Sequence, residues 1–147
     1  MRLLPTPLVP ALLILALNGA VHGAAEHGLA TREAIAEKTN SFMERLDEGR
    51  VLAAYKTMKA VLGVDADPFM NDAEKARKFF AQVRERVGEP TRVKRESIDD
   101  HFHRQSYLQK FESAALHWQF TFYRPADDWV LVGVSYSTEL DPLYQPD

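Results

Sequence analysis

Asp99, His101 and His103, in the run DDHFHR, occupy alternate positions, so an extended backbone would turn one carboxylate and two imidazoles to the same side. That trio is a ligand set for a divalent metal such as zinc. The run falls where a turn is expected between exposed strands, with no evident group to orient the imidazoles. The reading is therefore a solvated turn and no metal. His117 is the other imidazole beside a strongly patterned segment, but a general base needs a partner and a substrate within reach. It reads as a surface or dimer-contact residue. The chain has no cysteine, which excludes thiolate, disulfide and cysteine–zinc chemistry. No phosphate loop, nucleophile elbow or metalloprotease signature is present.

These residues need a scaffold, and the periodicity supplies one. In LHWQFTFYR, Trp118, Phe120 and Phe122 fall on one strand face, with His117, Gln119, Thr121 and Tyr123 on the other. The run PADD makes a hairpin turn. The strand WVLVGVSYS then sends Val130, Val132, Val134 and Tyr136 to one face. Upstream, TRVKRESI reads as a polar edge strand and HFHRQSYLQKFE as its neighbour.

Before Pro90 the pattern is helical. Thr31 caps a helix from Arg32 with Ile35, Thr39, Phe42 and Leu46 on its stripe. Gly49 interrupts, and RVLAAYKTMKAVLG follows with Leu52, Tyr55, Met58 and Leu62 aligned, stopping at Gly63. VDADPFMND looks like a turn, after which Asn71 or Asp72 caps a third helix through Val87, with Phe79, Phe80, Val83 and Val87 apolar. Three helices followed by a four-stranded antiparallel meander predict an α+β fold in which the helices cover the aromatic face of a curved sheet.

Arg2, the uncharged run LVPALLILAL and the small residues of NGAVHGAA have the order of a secretory signal peptide. The apolar run is too short to span a bilayer, which takes about 20 residues. The expected division is a signal peptide over residues 1–23, with cleavage after Gly23 or Ala25, and a single domain over 24–147, located in a periplasm or outside the cell. Once Arg2 is removed, 17 basic residues face 21 acidic ones. A mildly acidic, mixed surface is not that of a nucleic-acid binder, and no membrane span is expected in the mature form.

The order of elements resembles the cystatin-like roll of the nuclear transport factor 2 superfamily. FMERLDEGRVLAAYKTM is similar to its opening: a helix, a glycine and a second helix bearing an Ala-Tyr pair, here Ala54 and Tyr55. The closing strands, with Trp118, Phe120, Phe122, Tyr123, Pro125, Trp129 and Leu131, resemble those of small secreted bacterial members with no assigned activity. The resemblance implies a cone that encloses an apolar cavity, and pairing through the outer sheet face into a homodimer. Enzymes of the superfamily, such as the ketosteroid isomerases, keep a carboxylate and a tyrosine in that cavity. Here the pocket candidates are Tyr55, Trp118, Phe120, Phe122, Val134 and Tyr136, and no acid is placed deep inside.

Together these features imply an exported, non-enzymatic binding or interaction module with no cofactor and no catalytic residue, taking a small apolar ligand or an exported protein partner. The alternative is a small isomerase or hydrolase that uses Tyr55, Tyr136 or His117 on an apolar ligand in the cone.

Overall fold

The computed structural model describes residues 28–144 apart from residue 84. The leader expected over residues 1–23 lies outside the described residues. Helix α1 (Arg32–Asp47) starts at Thr31, whose hydroxyl accepts the Ala34 N–H at 3.1 Å, and it buries Ile35, Thr39, Phe42, Met43 and Leu46. It ends on a double turn: the Gly49 N–H donates to Leu46 O at 2.9 Å and the Arg50 N–H to Arg45 O at 2.8 Å. This closure takes a left-handed residue, and Gly49 supplies it with φ 75°.

Helix α2 (Val51–Met58) buries Val51, Ala54, Tyr55 and Met58 and tightens into a 3₁₀ turn over Lys59–Val61. The chain then runs along the sheet edge, where the Gly63 N–H donates to Leu131 O at 2.8 Å. A Cβ at Gly63 would sit 2.5 Å from Val130 Cγ2, so the approach is open only to glycine.

Helix α3 (Ala66–Phe80) begins earlier than the sequence pattern suggests and stops short of Val87. Asp65 is its cap, accepting the Asp67 N–H at 3.0 Å, and Pro68 sits in the first turn, where a missing N–H costs nothing. What looks like turn chemistry in VDADPFMND is helix-start chemistry. The buried stripe is Phe69, Ala73 and Ala76; Phe79 and Phe80 are half-buried against the core, and Val87 is exposed.

Strands β1 (Thr91–Ile98), β2 (Phe102–Lys110), β3 (Ala115–Tyr123) and β4 (Val130–Ser137) form an antiparallel meander in the order β1-β2-β3-β4. The fold is α+β. Trp118, Phe120 and Phe122 lie opposite Tyr107, Gln105 and His103 on one side and opposite Tyr136, Val134 and Leu131 on the other. The β3–β4 register shifts between Thr121 and Phe122, leaving Val132 as the extra residue. The expected common face of Val130, Val132, Val134 and Tyr136 is therefore broken: Leu131 is fully buried opposite Phe122, while Val130 pairs with Tyr123 on the other face.

Candidate functional site

The helix-covered sheet face is closed by ring-to-ring packing. Phe42 of α1 meets Phe120 at 5.0 Å, Tyr55 at 5.1 Å and Trp118 at 5.8 Å between centroids. The edge-on and tilted contacts suit the ring quadrupoles. Trp118, Phe120 and Phe122 have no exposed surface and Tyr55 almost none, while Val134 and Tyr136 are half-buried. Tyr136 lies 4.8 Å from Trp118 and 5.6 Å from Phe79. Burial, and secondarily Tyr136 and Asp72, push the Tyr55 hydroxyl above its ordinary range; burial, followed by Asp72, does the same to Tyr136. Both hydroxyls therefore stay protonated at neutral pH.

Opposite these rings runs a row of polar side chains that the sequence reading missed. On β2, His103, Gln105, Tyr107 and Gln109 all face inward and all are buried. Their i, i+2 spacing was a visible signal, but polar residues at strand spacing are ordinarily assigned to water. The row is satisfied largely from within. His103 is not part of a solvated turn: its Nδ1 lies 3.1 Å from Ser97 Oγ and its Nε2 lies 3.3 Å from Gln105 Nε2. The Gln105 amide can only donate there, so His103 Nε2 accepts and Nδ1 carries the proton. Burial first, then Arg32 and Arg95, lowers the His103 pKa and favours this neutral form.

The row continues through Gln105 Oε1, which accepts from Thr39 Oγ1 at 2.8 Å, and Thr39 Oγ1 lies 2.7 Å from the Tyr107 hydroxyl. Tyr107 in turn lies 2.7 Å from the Asn40 side-chain amide. Two hydroxyl protons cannot fill three such contacts; with Gln105 Oε1 toward Thr39, all are satisfied together when Asn40, placed with its Oδ1 toward Tyr107, turns its NH2 there instead. Burial raises the Tyr107 pKa against the opposing pull of Thr39, Arg92 and Arg95.

Two adjoining clefts open where this face meets the end of α1. Asn40, Met43, Glu44, Glu48, Glu89 and Tyr107 line the first, of about 450 Å³. Leu46, Val51, Phe80, Val83, Gln109 and Phe111 line the second, of about 440 Å³. Asp47 and Arg86 line both, and they are held to each other by an ion pair and by an Arg86 Nη1 hydrogen bond to the Asp47 carbonyl. None of the six pocket candidates from the aromatic strands and α2 lines either cleft.

The remaining imidazoles separate. His101 is exposed and sits 3.3 Å from Asp99 in the β1–β2 turn, while His103 faces the interior. Among the described residues no three His, Asp or Glu side chains converge as a metal site requires. His117 lies on the outer face as its spacing implies, but it is buried, not at the surface: it is 6 % exposed, and its Nε2 has no partner. Burial lowers its pKa, with Glu96 opposing and Arg104 assisting. At one end of that face Phe102 stacks on Tyr123 at 4.9 Å beside the exposed Ile98. No helix among the described residues is long and apolar enough to cross a membrane.

Comparison with protein-family models, with curated proteins and with solved structures finds no match to this chain.

Proposed function

We propose that this chain is an exported, non-enzymatic binding module that meets its ligand at the rim of the sheet rather than within the aromatic interior. The observation that carries this reading is the contrast between an interior filled by Phe42, Trp118, Phe120 and Phe122 and two open clefts of about 450 and 440 Å³ beside it. Small-molecule sites commonly occupy about 300–1,000 Å³ and combine apolar walls with a few polar groups. Three helices over a meander, with Ala54 and Tyr55 on α2, support kinship with the cystatin-like nuclear transport factor 2 superfamily. The leader sequence supports export to a periplasm or beyond the cell. The stacked Phe102–Tyr123 pair and Ile98 support homodimer formation through the outer face.

The test is native mass spectrometry of the protein recovered from the envelope or medium of its own source. A bound small molecule or exported partner is the expected result. A protein that carries neither, and that turns over an apolar ester or enone, would replace this reading with the isomerase or hydrolase alternative.

A further inference from the structure

We infer that the cleft floored by Gln109 binds a small apolar molecule whose one polar head is a hydroxyl or a carboxamide. This rests on the binding-module reading above and goes further by assigning the site and the chemistry of its ligand.

Gln109 is 1 % exposed. Its orientation follows from its neighbour: Trp118 Nε1–H donates to Gln109 Oε1 at 3.0 Å, and an indole N–H can only donate, so the carbonyl end is the one engaged. The amide NH2 is then left buried with no partner, on a residue that lines the 440 Å³ cleft. Asp47, in the wall of the same cleft, gives one carboxylate oxygen to Arg86, and its other oxygen, Oδ1, is buried without a donor. A buried polar group without a partner is costly, and a ligand that supplies the partner recovers that cost. The cleft therefore offers one unmatched donor and one unmatched acceptor among the apolar walls of Leu46, Val51, Phe80 and Phe111.

A hydroxyl or carboxamide both accepts and donates. A carboxylate only accepts, and it would face the Asp47 charge while the cleft's two arginines are already paired, Arg77 with Glu74 and Arg86 with Asp47. Phe80 connects the cleft to a reporter, because its ring lies 5.9 Å from Trp118.

The probes are 1-octanol, octanamide and octanoate at pH 7, titrated into the full domain with NMR detection of the Trp118 indole and Gln109 amide protons. Octanol and octanamide are expected to shift both signals and to bind at least tenfold more tightly than octanoate. Gln109→Met keeps the shape of the floor but removes the donor, together with the oxygen that Trp118 Nε1–H engages, and should weaken octanol about fivefold or more. Ala81→Phe, at the exposed end of α3 in the wall of the cleft, should abolish the shifts while leaving the core untouched. No shift up to the solubility limit, equal binding of octanoate, or octanol binding that survives Ala81→Phe overturns the inference. A natural small molecule retained equally by wild type and Ala81→Phe in native mass spectrometry would also overturn it, while leaving the binding-module reading in place.

Discussion

Thr39 and Gln105, 66 residues apart, meet at 2.8 Å between hydroxyl and amide oxygen in the sealed space between α1 and β2. Thr39 also lies within hydrogen-bond distance of Ile35 O and of the Tyr107 hydroxyl, so one small side chain joins the helix to the polar row of the sheet. Thr39→Val keeps the volume and removes the hydroxyl. Gln105 Oε1 keeps only the longer 3.2 Å contact from Tyr107, and the row's tie to α1 is reduced to the 2.7 Å contact between Tyr107 and Asn40. The expected loss is about 1–3 kcal/mol, the usual cost of leaving a buried polar group without its partner. Urea melts of the wild type and Thr39→Val measure it; an unchanged midpoint would show that the row contributes nothing to stability.

Phe120 and Thr121 are neighbours on β3 with opposite fates. Phe120 has no exposed surface and stands edge-on to both Phe42 and Tyr107, whereas Thr121 is half-buried on the outer face opposite Arg104. Phe120→Ala should cost roughly 3–5 kcal/mol, the range for deleting a buried phenyl ring, and Thr121→Ala less than about 1 kcal/mol. Denaturant melts of the pair decide between a filled interior and an open one, because a ring lining an open pocket would leave little new cavity and its loss would be small.

The aromatic face was legible because strict alternation in LHWQFTFYR leaves only one way to bury Trp118, Phe120 and Phe122. The start of α1 was legible for a similarly local reason, since Thr31 stands immediately before the periodic stripe. Where two local signals compete, the pattern misleads. Asp65 and Pro68 favour turns and helix starts equally, and only the burial of Phe69 against Tyr55 decides for the helix. The bulge at Val132 has one weak local sign, Gly133 beside it within the strand, but the other residues around it are apolar and either face would accept them. The inward row of β2 was hidden for a different reason: Gln105 and Tyr107 are paid for by Thr39 and Asn40, partners that only the tertiary fold brings near, and His103 by Ser97, its neighbour across the β1–β2 hairpin. Both clefts depend on the same kind of long-range meeting, in which Arg86 reaches the C-terminal end of α1.

Gly49 closes α1 at φ 75° with no atom within 4 Å of where a Cβ would lie. Gly49→Ala therefore introduces no clash with its surroundings, and its cost isolates the backbone: about 1–2 kcal/mol for an L-residue held in the left-handed region. Gly49→Asn should cost less, since asparagine tolerates that conformation better. Thermal melts of the two variants test this, and an alanine variant as stable as wild type would mean that the turn relaxes out of its left-handed geometry.

His103 gives the fold a dependence on acid. Its folded pKa is lowered by burial and by Arg32 and Arg95, and that of His117 is lowered by burial as well, whereas both titrate near 6.5 in the unfolded chain. Below that pH the unfolded chain takes up protons that the folded one refuses. Stability is thus fully present above about pH 7 and falls as the pH drops through the unfolded value, by at most about 1.4 kcal/mol per pH unit for each imidazole. Protonation of His103 would also put a proton on Nε2, where Gln105 Nε2 can only donate, so the 3.3 Å contact turns from attractive to repulsive. Urea melts at pH 7.5 and 5.5 should show the wild type losing stability between them and His103→Gln losing less, even if that variant starts lower. The same pH slope in wild type, His103→Gln and His117→Gln would mean that neither imidazole is held neutral by the fold.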